Sequence, residues 1–104
     1  MSRYAHLVQR FRDAVISTPG RLSAETRRAV LEGSSAGPET EAYLDKVRRH
    51  AYRVTDEDIA ALRAAGWDDE RLYELTIAAA VGQGLRRLDL GMAALRAAQA
   101  QARK

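Results

Sequence analysis

The sequence predicts an all-α protein, and three observations carry that expectation. Apolar residues recur at helical spacing along most of the chain. The sequence holds only two prolines and no alternating run of Val, Ile or Thr, so strands have little support. Ser23, Thr55 and Asp68 each stand where a helix N-cap belongs. At 104 residues the chain makes one domain, small enough that a helical protein gains much by oligomerising.

In chain order, Ser2 caps a first helix in which Tyr4, Leu7, Val8, Phe11 and Val15 recur at helical spacing. It ends before Thr18, Pro19 and Gly20 and reads as an amphipathic docking helix. His6 falls beside its apolar face without a second ligand at i+4, so a structural place outweighs metal binding. Ser23 caps a short helix from Ala24 to Glu32, and the loop from Gly33 to Pro38 forms a hinge. A third helix runs from Pro38 to His50 with Tyr43, Leu44 and Val47 inward, and Asp45 is spaced to pair with Arg48 or Arg49. Thr55 caps a fourth helix, rich in acid in its first turn, with Ile59 and Leu62 in the core and Gly66 as its stop.

The fifth and longest helix organises the rest. Asp68 caps it, Asp69 and Glu70 place negative charge against its N-terminal dipole, and Trp67 with Leu72 is spaced as a hydrophobic staple. Leu72, Leu75, Ala79 and Gly82 line one stripe; Tyr73, Ile77, Ala80, Gly84 and Leu88 line another. Two apolar stripes predict burial on two sides. Gly82 and Gly84 each weaken a helix by about 1 kcal/mol relative to alanine, so both predict a close backbone approach by another helix. Beyond Leu85 one stripe continues through Leu88, Met92 and Leu95, and the alanine-rich tail from residue 96 to 104 is expected to fray. The organisation is thus N-terminal docking helices over 1–33, a core over 38–95 and a helical tail.

Composition excludes several chemistries. Without cysteine the chain has no disulfide, thiolate metal site or thiol redox centre of its own. The 17 basic and 14 acidic residues are interspersed, giving a net charge of +3 and a surface suited to water more than to polyanions. No apolar run reaches membrane-spanning length and no secretory h-region is present, so a cytoplasmic protein is expected. Arg48, Arg49 and Arg53, with Arg86 and Arg87, are the residues a nucleic-acid face would use, but only Tyr52 interleaves them and nucleic acid is not the expected partner. The Gly82-Gln83-Gly84 step lies inside a helix and is no phosphate loop.

Residues Ala64 to Leu85 join a helix ending in Gly66, an acidic cap at Asp68 to Glu70, a Leu72-Tyr73-Glu74 step, an alanine run at Ala78 to Ala80 and Gly84. In that order they resemble the alkylhydroperoxidase D-like (AhpD-like) and carboxymuconolactone decarboxylase family, over roughly Pro38 to Leu95. The resemblance implies four or five helices with a long C-terminal helix, and a trimer or hexamer of identical chains. The family's peroxidases carry two thiols and a histidine as CxxCxxxH; without a gap those slots fall on Ala51, Val54 and Asp58, and all are substituted. Thiol peroxidase chemistry is therefore absent. A family proton-relay glutamate falls near Glu39, although an acid after Pro38 is also an ordinary first-turn choice.

The expectation is accordingly a non-peroxidase, oligomeric binding or interaction protein that needs no cofactor or metal. The alternative is a thiol-free acid-base enzyme, decarboxylase-like or isomerase-like, acting on a small organic acid. In that reading Glu39, His50 and Asp58 are the candidate catalytic groups, with Glu41 nearby, and Arg53 is the anion-binding group.

Overall fold

A computed structural model describes the backbone of residues 3–102 and the side chains of residues 5–102. Every regular element among them is helical: α1 (Arg3–Ser17), α2 (Ala24–Leu31), α3 (Glu41–Arg49), α4 (Asp56–Ala64) and α5 (Asp69–Ala102), with single 3-10 turns at Pro38–Thr40 and Ala51–Arg53. The cap proposed at Ser2, the side chain of Tyr4 and the last two residues of the tail lie outside the described residues.

Local chemistry sets the boundaries. Ser23 accepts a hydrogen bond from the Thr26 amide at 3.1 Å, and Asp68 accepts one from the Arg71 amide at 2.8 Å. At α4 the Thr55 hydroxyl and the Asp58 carboxylate form a reciprocal capping box. The helix then stops at Gly66, whose φ of 100° lies in the left-handed region that favours glycine. The helix expected from Pro38 begins as a 3-10 turn instead. Buried Thr40 explains this: its hydroxyl donates to the Gly37 carbonyl at 2.7 Å and accepts from the Ala36 amide at 3.0 Å, closing a tighter turn before α3 starts.

α5 carries the core. Its Leu72, Leu75, Ala78 and Ala79 pack with Leu22 and Val30 of the α2 region, Tyr43 and Leu44 of α3, Leu62 of α4 and the stapling Trp67. A part-buried polar pair borders it: Tyr43 Oη and Thr76 Oγ1 lie 2.6 Å apart, and Thr76 also donates to the Leu72 carbonyl. The close approach expected at the glycines is found at Gly82, where an added Cβ would sit 2.0 Å from the Leu31 carbonyl oxygen of α2. Gly84 differs, since a Cβ there meets nothing within 4 Å.

Burial on two sides of α5 is also corrected. Leu72, Leu75, Ala79 and Gly82 are buried, but Tyr73, Ala80 and Gly84 are exposed, with Ile77 and Leu88 only part-buried. The reason is the position of α1. It packs on α2 and along one flank of α5 through Val8, Arg12, Val15 and Ile16, while Leu7 and Phe11 face outward. Among the described residues, the side of α5 opposite the core is met only near Tyr73 and Ile77, where Ala14 and Val15 of α1 line a cavity with them. The molecule is long in consequence, 58 × 29 × 18 Å, with a radius of gyration of 16.3 Å against about 13 Å for a compact chain of this length.

Arginines close the helix C-termini. Buried Arg27 donates to the carbonyls of Val15 and Thr18 at the end of α1. Arg48 donates to Val30 and Ser34, and Arg86 to Leu31, at the end of α2. Arg87 reaches the Arg48 carbonyl in the last turn of α3, and Arg71 the Gly66 carbonyl just beyond α4. Each supplies a cation and a donor to carbonyls at or just beyond a helix end, where the dipole favours positive charge.

Candidate functional site

The candidate residues fall into local groups, each engaged by its own partners. Glu39 projects from the Pro38–Thr40 turn and accepts a hydrogen bond from the indole Nε1 of Trp67 at 3.1 Å. The Arg71 guanidinium lies 4.4 Å from the centre of the Trp67 ring. The Glu39 carboxyl is held below its usual pKa by its own backbone amide, then by the Trp67 indole, with Arg71 adding a favourable charge. Glu41 opens α3 and lines a polar surface groove with Asp45, Arg48 and Arg49, where Arg49 Nε pairs with Asp45 at 3.1 Å.

Asp58 occupies the third position of α4 and receives both the Thr55 amide and the Lys46 ammonium, the latter at 2.9 and 2.8 Å to its two oxygens. Lys46 is the first cause that lowers its pKa, followed by the Thr55 amide. Ala51 is exposed in the second 3-10 turn, and Val54 packs part-buried in the link to α4. Those two positions therefore precede α4, and only Asp58 rides on it. His50 meets the Tyr52 ring edge-on with centroids 5.8 Å apart, and Arg53 lies 5.8 Å from the same ring, all three exposed. Tyr52 thus brings His50 and Arg53 together. Glu39 is tied to Trp67, and Asp58 to Lys46.

The sequence reading did not foresee these partners. Lys46 and Asp58 are joined across two helices, and Trp67 meets Glu39 from the far end of the α4–α5 connection, so neither pairing has a local spacing signal. The basic residues also find internal work. Arg48, Arg86 and Arg87 all donate to backbone carbonyls, and the Arg48 guanidinium has its pKa lowered first by burial and then by Arg86. Among the described residues no group of three or more His, Asp or Glu is arranged to hold a metal ion.

Two surface features remain on α5. A groove of about 450 Å³ between α1 and α5 is lined by apolar Val8, Leu85 and Met92 and by charged Arg12, Arg86 and Asp89. On a different side of α5 runs the largely exposed stripe that begins at Tyr73, which is 69% exposed, and reaches Leu95, which is 50% exposed. Its upper end meets a second, apolar cavity of about 390 Å³ where Tyr73 and Ile77 face Ala14 and Val15 of α1.

No protein-family model, curated protein or solved structure matches the chain. No helix among the described residues is long and apolar enough to cross a membrane.

Proposed function

We propose that the chain is a non-catalytic helical interaction protein that works as a homo-oligomer, in the manner of a cysteine-free AhpD-like protein. The observation that carries this reading is surface. Scaling from its 11.5 kDa mass gives roughly 5,800 Å² for a compact monomer. The chain exposes 7278 Å². The excess accompanies an apolar face on the principal helix, which a soluble monomer ordinarily avoids.

The acid-base alternative draws less support. A general base gains from a pKa near the working pH, whereas Glu39 and Asp58 are both pushed the other way by donors that stabilise their charged forms. His50 and Arg53 are exposed beside Tyr52. The cytoplasmic setting belongs to the same proposal and rests on the cysteine-free, mixed-charge sequence.

Light scattering coupled to sizing tests the reading at micromolar concentration. A mass of two or more whole chains is expected, together with no turnover of a panel of small organic acids. A monomer throughout that range refutes the assembly; turnover abolished by Glu39→Gln or His50→Ala revives the enzyme.

A further inference from the structure

The stripe of α5 opposite the core, largely exposed and met by α1 only beside Tyr73 and Ile77, has an internal order. Tyr73, Ile77, Ala80, Gly84, Leu88, Gly91 and Leu95 follow one another at steps of four, three, four, four, three and four. Tyr73, Gly84 and Leu95 are thus eleven apart, the repeat that stays on one face of a nearly straight helix. At about 100° per residue the seven positions remain within roughly 40° of one direction, opposite the buried Leu75 and Gly82. The stripe is also a palindrome about Gly84. Turned end for end, Tyr73 meets Leu95, Ile77 meets Gly91, Ala80 meets Leu88, and Gly84 meets itself.

From this we infer that α5 is a two-fold interface, on which a second copy of this chain seats its own α5 antiparallel, crossing at Gly84. The inference deepens the homo-oligomer reading above and rests on it. Size complementarity supports a copy over any other occupant. A large residue faces a glycine at Ile77 and Gly91 and an alanine at Leu88 and Ala80, while the ends close with Tyr73 on Leu95. At the centre, the open space around Gly84 lets two backbones approach closely. A two-fold interface requires such self-complementarity, because each residue must meet the partner's copy of its opposite number.

Area gives the second support. The surface excess over a compact monomer is on the order of 1,500 Å², and a stable pair removes about 800 Å² from each partner. The stripe extends from the body of the molecule into the C-terminal turns of α5, where residues 93–102 are all exposed. Leu7 and Phe11 of α1, 56% and 53% exposed, add apolar area away from the core. Pairing α5 with α5 covers the stripe along its length.

The absence of cysteine makes the register directly measurable, since any introduced thiol is unique. Light scattering of the wild-type chain should give two copies or an even multiple. Gly84→Glu should raise the dissociation constant at least about 100-fold while leaving helical circular dichroism unchanged, because the position faces open space within one chain. Leu95→Glu, in the exposed C-terminal turns, is a second variant with the same expected result. Under mild oxidation with oxidised glutathione, Gly84→Cys should form a disulfide dimer. Ala80→Cys alone should not, its copies lying about 12 Å apart along the axis, but mixed with Leu88→Cys it should link.

An assembly of the same mass in both glutamate variants, an odd-numbered wild-type assembly, or self-linking of Ala80→Cys overturns the antiparallel pairing and leaves the homo-oligomer reading standing. A wild-type monomer at micromolar concentration overturns both.

Discussion

Gly82 and Gly84 stand two residues apart in one helix, yet the same change at each should move stability in opposite directions. In Gly82→Ala the new Cβ would lie 2.0 Å from the Leu31 carbonyl oxygen and 2.9 Å from the Leu31 Cα, against an ordinary contact of 3.4 Å or more. The obstacle is backbone, so no rotamer relieves it. α2 must move away from α5, loosening Val30 against Leu75 and stretching the 2.9 Å bond from Arg86 to the Leu31 carbonyl. Overpacking of this kind costs about 1–3 kcal/mol and the weakened hydrogen bond about 1 kcal/mol more. Alanine returns about 1 kcal/mol of helix propensity. The expected net loss is about 2 kcal/mol, or roughly 10 °C in Tm for a domain of this size. Gly84→Ala has the propensity gain without the clash and should stabilise by up to about 1 kcal/mol. Urea unfolding followed by circular dichroism and by the fluorescence of Trp67 measures both, at a protein concentration low enough that association does not contribute. A neutral or stabilising Gly82→Ala would show that α2 does not seat on α5 at this point.

Three further outcomes are expected. Arg27→Met keeps much of the buried aliphatic volume but removes the donors to Val15 and Thr18, so it should cost about 2 kcal/mol in the same unfolding assay; an unchanged midpoint would remove Arg27 as the closure of α1. Tyr43→Phe leaves Thr76 with its Leu72 bond and should cost about 1 kcal/mol, whereas a gain in stability would show the hydroxyl pair to be a net burden. Asp58→Asn tests charge through pH. Because the folded pKa of Asp58 is lowered, its stabilisation is present above the unfolded value near 3.9 and disappears as pH falls through the folded value. Melting curves of wild type and variant should therefore differ at pH 7, begin to approach each other near pH 4 and meet only below the lowered folded value; a constant gap through acid would mean that the Lys46 pairing is not responsible.

Much of the fold was legible because its punctuation is local. Ser23, Thr55 and Asp68 announce helix starts through side-chain acceptors only a few residues from their donors, and Gly66 announces a stop through its own backbone. The 3-10 turn at Pro38 was hidden because it depends on Thr40 being buried and folding its hydroxyl back. Periodicity located both stripes of α5, yet periodicity reports apolarity and not what covers it. The same limit applies to α1, where Leu7 and Phe11 share helical spacing with Val8 and Val15 but face outward. For the candidate site, residue types were readable and convergence was not. Glu39, Asp58 and His50 each meet partners fixed by the packing of α3, α4 and the Trp67 staple, which no spacing rule encodes.

The arginine closures couple parts of the chain that the core alone would leave separable. Arg86 and Arg87 belong to α5, so the Leu31 carbonyl at the end of α2 and the Arg48 carbonyl at the end of α3 are met by groups of a helix that follows them in the chain. During synthesis those two carbonyls lack these donors until α5 has been made and docked. A nascent chain stopped at Leu85 would already hold the apolar cluster through Ala79, yet lack the seals supplied by Arg86 and Arg87. Such a chain should be compact but frayed at two helix ends, a substrate for proteases that the finished protein resists.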